Sequence, residues 1–132
     1  MISLEKIMTR DVVTVGRTAD LYDAIRMMAD GNITGLPVVD EDEKLVGIIT
    51  EKDVMRHLLS THSNEGKVRD CMITDAVSCN VNDTLLDVIN ILVEHGFRRV
   101  PVESEGKLIG IISRRDIILY IFSIYISNMD GK

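Results

Sequence analysis

Two segments of the chain contain the same pattern of residue types, and the polar residues in this pattern are spaced so that they could bind a ligand. They read GIITEKD at residues 47–53 and GIISRRD at residues 110–116. In each segment a hydroxyl residue, Thr50 or Ser113, stands three residues before an aspartate, Asp53 or Asp116. This is the spacing of a capping box, in which the hydroxyl and the carboxylate satisfy free amides at a helix start. The pattern therefore predicts two capped helices, each following an apolar strand.

The same geometry is also suited to a nucleotide. A helix start presents unpaired N–H groups and the positive end of the helix dipole, which favour a phosphate. A carboxylate can accept hydrogen bonds from both hydroxyls of a ribose. A cap alone, and a cap that also contacts a nucleotide, are both compatible with the residues.

The two segments belong to a repeat that covers nearly the whole chain. Residues 8–35 align with 72–99 without a gap, and residues 36–54 align with 100–117 with one residue fewer in the second copy. Each copy contains a β-prone segment, an amphipathic helix, two apolar strands and a second helix. The sequence therefore predicts an α+β fold of two β-α-β-β-α repeats. Because apolar strands need cover, we expect the two sheets to pack face to face with pseudo-twofold symmetry.

The elements also predict where each repeat begins and ends. We place the first repeat at residues 4–62 and the second at residues 68–127, together forming one module. Thr18 and Asn82 are expected to be the N-caps of the first helix in each repeat, because both precede apolar residues at helical spacing.

Composition and charge exclude several classes of protein. The chain has 132 residues and a net charge of −6, which argues against a general nucleic-acid surface. Charged residues near the N-terminus do not resemble a signal peptide, so we expect a cytoplasmic location. Cys71 and Cys79 lack a second pair or a suitably spaced histidine, and we expect no metal site. No P-loop or nucleophile elbow is present, so we expect no enzyme and no catalytic residue.

The repeat resembles a tandem pair of CBS domains, the cystathionine β-synthase modules that bind adenosine-containing ligands in a cleft between their sheets. The resemblance covers about residues 4–127. It is carried by the two GII[ST] segments, the proline-containing strands GLPVVD and RRVPVES, and the openings IMTRDVVTV and CMITDAVSC. In similar proteins the aspartate contacts ribose hydroxyls and the hydroxyl residue lies near the phosphates. The resemblance thus implies site A at Thr50 and Asp53, and site B at Ser113 and Asp116.

The resemblance also implies partners for these residues. Similar proteins place basic residues before the proline-containing strand, where they reach across the cleft. The cations implied for site A are Arg98, Arg99 and Arg115. Because neighbouring strand residues point to opposite faces, the alternative is that one of the first two is a surface side chain. Site B would have only Lys52 beside Thr34, so it would favour a less charged adenosine or stay empty.

The adenine slot is implied by the same family pattern. Residues after the opening strand and before the proline would form it. These are Thr14, Val15 and Leu36 for site A, and Ser78, Cys79 and Val100 for site B. Apolar residues at such positions are equally explained as core.

The last apolar stretch, IILYIFSIYI at residues 117–126, predicts a partner surface. It is about half the length that a bilayer needs. An outer helix of a monomer should carry a polar stripe, which this one lacks. Few cations follow Ile117, which argues against a membrane surface. Paired CBS domains commonly associate through their helices, so the resemblance implies a homodimer.

These expectations lead to one functional hypothesis with two alternatives. The leading hypothesis is a stand-alone regulatory module that binds AMP, ADP or ATP and signals metabolite status to an unknown regulated protein. The first alternative is a sensor of S-adenosylmethionine or methylthioadenosine. The second is a ligand-free dimerisation or docking module.

Overall fold

The computed structural model of the protein describes residues 2–130 and contains both repeats. After a 3-10 helix at Leu4–Lys6, the first repeat comprises β1 (Val15–Gly16), α1 (Leu21–Gly31), β2 (Gly35–Val39), β3 (Leu45–Thr50) and α2 (Glu51–Thr61). The second repeat opens with a short helix, α3 (Val68–Cys71). It continues with β4 (Cys79–Asn80), α4 (Leu85–His95), β5 (Arg99–Ser104), β6 (Lys107–Ser113) and α5 (Arg114–Asp130). The predicted α+β fold with two β-α-β-β-α repeats is confirmed.

Each repeat contributes one three-stranded sheet. The strand orders are β1-β2-β3 and β4-β5-β6. β1 pairs with β2 in parallel, with Val15 opposite Val38. β4 pairs with β5 in the same way, with Cys79 opposite Val102. The two hairpin strands of each repeat supply buried side chains, including Val38 and Ile49 in the first and Val102 and Ile112 in the second. Each sheet thus has its own apolar core.

The compact units of the structure do not follow the sequence repeats. One unit holds Val13–Ala76 and Gly106–Leu108, and the other holds the chain up to Val12, Val77–Glu105 and the chain from Ile109. Within the second unit, Thr9 and Ile111 exchange two backbone hydrogen bonds, both of 2.9 Å. Within the first, Ile48 and Ile73 do the same at 3.0 and 2.8 Å. The opening segment of each repeat therefore pairs with the sheet of the other repeat.

The glycines of the repeated segments make this pairing possible. Gly47 lies inside β3 and Gly110 inside β6. A Cβ at Gly47 would lie 2.7 Å from the carbonyl oxygen of Ile73, and one at Gly110 would lie 3.0 Å from that of Thr9. The first distance is too short for a methyl group, and the second is tighter than an ordinary van der Waals contact. These glycines are thus explained by the close approach of a backbone segment to the sheet.

We predict that Gly47→Ala lowers the free energy of unfolding by about 1–2 kcal/mol, because overpacking displaces the paired segment. Ile73 has little freedom to move, since its backbone is hydrogen-bonded to Ile48. Gly16→Ala is the control, because a Cβ there meets no atom within 4 Å. Urea unfolding of both variants tests the prediction, and equal stability of the two would contradict it.

The two predicted N-caps of the first helices are wrong by two residues. α1 has Asp20 as its N-cap, and α4 has Thr84. Thr84 forms a complete capping box with Asp87: the Thr84 N–H donates to Asp87 at 3.0 Å, and the Asp87 N–H donates to Thr84 Oγ1 at 3.1 Å. The backbone hydrogen bond from Thr84 lowers the pKa of Asp87 below its usual range. Asn82 instead donates its N–H to Asn80 Oδ1 at 2.9 Å, in the turn before the helix.

Candidate functional site

The first repeated segment forms a capping box at the start of α2. The N–H and the Oγ1 of Thr50 both donate to Asp53 Oδ2 at 2.8 Å, and the Asp53 N–H donates to Thr50 Oγ1 at 3.4 Å. The other carboxylate oxygen, Oδ1, accepts from Arg56 Nη1 at 2.9 Å. The Asp53 side chain is only 1% exposed. Both oxygens of this carboxylate are therefore engaged within the protein.

The second segment forms the same cap at the start of α5, in a more open setting. The Ser113 N–H donates to Asp116 Oδ2 at 2.9 Å, and the Asp116 N–H donates to Ser113 Oγ at 3.0 Å. Asp116 is half-buried. Within residues 2–130 its Oδ1 has no hydrogen-bond or ion-pair partner. The predicted caps are thus confirmed at both helices, but the two carboxylates differ.

The remaining amides of each helix start limit what the site can hold. The first amide of α2, from Glu51, donates to the carbonyl oxygen of Thr34 at 3.0 Å. The first amide of α5, from Arg114, donates to the carbonyl oxygen of Arg98 at 2.8 Å. The third amide of each helix belongs to the capping box. In the part of the chain described here, the second amide, of Lys52 or Arg115, is the one left for an anion.

These bonds bring together some of the sequence-predicted residues. Thr34 lies beside the helix start of Thr50 and Asp53, and Arg98 lies beside that of Ser113 and Asp116. The cations implied for site A, namely Arg98, Arg99 and Arg115, are exposed and belong to the other compact unit from Asp53. Their approach to Asp53 stays a prediction.

Lys52, the cation implied for site B, lies on the outer surface of α2. It lines an open groove of about 500 Å³. The other residues of this groove are Glu51, Met55, Arg56 and Leu59. Lys52 belongs to the other compact unit from Asp116, so its role in site B also stays a prediction.

The implied adenine-slot residues divide into core and half-buried positions. Val15, Leu36, Cys79 and Val100 are at most 2% exposed and pack in the two apolar cores. Thr14 and Ser78 are half-buried. Burial raises the pKa of the Cys79 thiol to about 12. Any contact of the four core residues with an adenine ring would therefore use their backbone groups.

Sequence reasoning missed Arg56 as a residue of this site. Its signal is its position three residues after Asp53, one helical turn along α2, where a cation can reach the carboxylate. The corresponding position in the second repeat, three residues after Asp116, holds Leu119. The two repeats therefore differ in a residue that touches the aspartate.

None of the helices within residues 2–130 is both long and apolar enough to cross a membrane. Over the same residues, no group of three or more His, Cys, Asp or Glu side chains is placed to hold a metal ion.

Comparison with known proteins decides the family. The family model of the CBS domain matches this chain twice, at residues 4–60 and 68–123. The chain belongs to the CBS domain family. Together the two matches cover most of the chain, so the protein contains a CBS pair, and its two capping boxes are equivalent positions of two CBS repeats.

Two relatives show how such CBS pairs occur within longer chains. The uncharacterized protein MJ1225 of Methanocaldococcus jannaschii is 36% identical over 115 residues, which are 87% of this chain and 41% of that protein. The inosine-5'-monophosphate dehydrogenase of the same organism is 36% identical over 115 residues, 86% of this chain and 22% of the enzyme. This chain thus spans less than half the length of either relative.

Solved structures of CBS proteins have the same fold. CBSX2 in complex with AMP has a TM-score of 0.81 and 27% identity, with 95% of this chain and 99% of that chain covered. The CBS domain protein NE2398 has a TM-score of 0.78 and 29% identity, with 92% and 99% covered. An adenosine nucleotide is therefore the ligand of one structural neighbour of this CBS pair.

Proposed function

We propose that this CBS pair is a regulatory module that binds an adenosine nucleotide, AMP, ADP or ATP, and signals its level to a partner protein. The observation that carries the proposal is the repeated cap, in which a carboxylate stands beside a helix start with one free amide. A ribose needs acceptors for its hydroxyls, and a phosphate needs N–H donors and positive charge. The AMP complex of CBSX2 supports the choice of ligand class.

The proposed roles follow from the chemistry of each residue. Asp53 and Asp116 accept from ribose hydroxyls, and the free amides of Lys52 and Arg115 donate to phosphate. The exposed guanidinium groups of Arg98 and Arg99 supply positive charge to the phosphate. Backbone groups at the implied slot positions form hydrogen bonds with the edge of the adenine ring. A cytoplasmic location remains a prediction from the sequence.

Thermal unfolding with AMP, ADP, ATP and S-adenosylmethionine tests the proposal. A nucleotide at about ten times its dissociation constant should stabilise the fold by about 1.4 kcal/mol, which raises Tm by about 4–6 °C. Asp53→Asn and Asp116→Asn, which keep an acceptor for the cap amide, should reduce this shift. Asp87→Asn is the matched control, because Asp87 caps α4 outside the repeated segments.

Two outcomes would contradict the proposal. A protein whose Tm is unchanged by all four compounds would be a ligand-free docking module. A shift that survives in the double variant of Asp53 and Asp116 would place the ligand elsewhere. A larger shift with S-adenosylmethionine than with AMP would keep the site and change the ligand.

We further propose that the module is a homodimer that associates through α5. The supporting observation is the amount of apolar surface on this helix. Its exposed apolar side chains are Ile118, Leu119, Phe122, Ile124, Tyr125, Ile126 and Met129. Isolated exposed apolar residues are ordinary, but seven on one helix form a patch typical of an interface.

A further inference from the structure

The two aspartates of the repeated caps are not equally available to a ligand. The Asp53 carboxylate accepts three hydrogen bonds. Two come from the N–H and the hydroxyl of Thr50, and the third comes from Arg56. Asp116 accepts one, from the Ser113 N–H, and its Oδ1 is unpaired within the described residues. The Asp53 side chain is 1% exposed, whereas Asp116 is half-buried. A ribose hydroxyl can therefore reach Asp116 without displacing a protein donor.

We propose that Arg56 is a specificity-determining residue that closes Asp53 to ribose, so that an adenosine ligand occupies the Asp116 site first. This inference rests on the proposed nucleotide function and assigns the order in which its two sites fill. The order in which the sites fill is thus the reverse of the one expected from the sequence, where Arg98, Arg99 and Arg115 favoured the Asp53 site.

The physical basis is a competition for Asp53 Oδ1. The guanidinium of Arg56 donates a charge-assisted hydrogen bond to this oxygen, and such bonds are about twice as strong as neutral ones. A ribose hydroxyl is a neutral donor, so replacing Arg56 with ribose loses binding energy. The Arg56 side chain is 65% exposed and regains water when it leaves, which keeps the closure reversible. Ligand binding at Asp53 is therefore weakened rather than abolished.

The second repeat provides the natural open counterpart. Leu119 stands where Arg56 stands in the first repeat, and it cannot donate a hydrogen bond to Asp116. Exchanging the two residue types should exchange the behaviour of the two sites. This exchange gives a pair of reciprocal variants, Arg56→Leu and Leu119→Arg.

A titration of the full chain with AMP, followed by two-dimensional amide NMR, resolves the two sites. The amides of Thr50 and Asp53 report one cap, and those of Ser113 and Asp116 report the other. In the wild type, the Ser113 and Asp116 signals should shift at lower AMP concentration. Arg56→Leu should lower the dissociation constant read at Thr50 and Asp53 by about five- to tenfold, because one charge-assisted competitor is removed. The value read at Ser113 should stay unchanged.

The reciprocal variant and its control test the same competition. Leu119→Arg should raise the dissociation constant read at Ser113 and Asp116 by a similar factor. Leu119→Gln removes the same leucine without adding a positive charge and should have a much smaller effect. Since Leu119 lies on the exposed face of α5, the assembly state of both variants is measured in the same samples.

The outcomes separate this inference from the proposed function. AMP binding that depends on Asp116 but is unaffected by Arg56→Leu would overturn the inference and leave the function standing. Weaker binding in Arg56→Leu would also overturn it, because Arg56 would then be a ligand contact. No amide shift with AMP in the wild type or in any variant would overturn both.

Discussion

Replacing Asp53 with alanine should lower the free energy of unfolding by about 3 kcal/mol. The change removes the carboxylate half of the capping box of α2. It leaves the partly buried Thr50 N–H without an acceptor, which costs about 2 kcal/mol, and the Thr50 hydroxyl loses a hydrogen bond that contributes about 1 kcal/mol. It also removes the partner of Arg56, whose own exposure makes this loss small. Chemical denaturation of the purified variant measures the effect.

Asp116→Ala is the matched control for this experiment. Its carboxylate accepts one hydrogen bond and is less buried, so the loss should be about 1 kcal/mol. Equal losses in the two variants would show that burial and the Arg56 contact do not distinguish the caps. The difference also matters for binding studies, because a variant of Asp53 that unfolds would imitate a lost ligand site. Asparagine, which keeps an oxygen acceptor, is therefore the better probe of binding.

Phe122→Glu should convert the proposed dimer into a monomer. Phe122 is 57% exposed in the single chain and lies in the middle of the apolar patch on α5. Burying a phenylalanine contributes about 1.5–3 kcal/mol, and a symmetric dimer loses two of them. The dissociation constant should therefore rise by at least a factor of about 100. Sedimentation velocity over a range of protein concentrations measures this change.

Tyr22→Glu adds the same charge at another exposed aromatic residue, on α1, and should leave the dimer intact. A monomeric wild type would refute the dimer proposal. A dimer that survives Phe122→Glu and dissociates in Tyr22→Glu would place the interface on α1 instead of α5.

Much of the fold could be predicted because the residues involved are close in sequence. The capping boxes at Thr50 and Ser113 each depend on two residues separated by three positions, so local geometry decides them. The N-caps of α1 and α4 were harder, because several cap-forming residues, such as Asn82 and Thr84, stand close together. Only the hydrogen bonds of the preceding turn show that Asn82 belongs to it.

The candidate site was predicted less completely, because its chemistry depends on burial. Val15 and Leu36 fit an adenine slot and a core equally well in the sequence, and the structure places both side chains in the core. Asp53 and Asp116 occupy equivalent positions in the repeat, yet one is almost fully buried and the other is not. The two aspartates share residue type and spacing, so these features cannot distinguish their solvent access.

The amino-acid sequence by itself determined the family, the two β-α-β-β-α repeats and the capping boxes of α2 and α5, because periodicity and short spacing specify local hydrogen bonds. Only the tertiary structure decided that the opening of each repeat pairs with the sheet of the other, through Thr9 with Ile111 and Ile48 with Ile73. It also decided that Arg56 engages Asp53. The first result depends on contacts between groups that are distant in sequence. The second depends on which of its many rotamers the Arg56 side chain adopts in the folded chain.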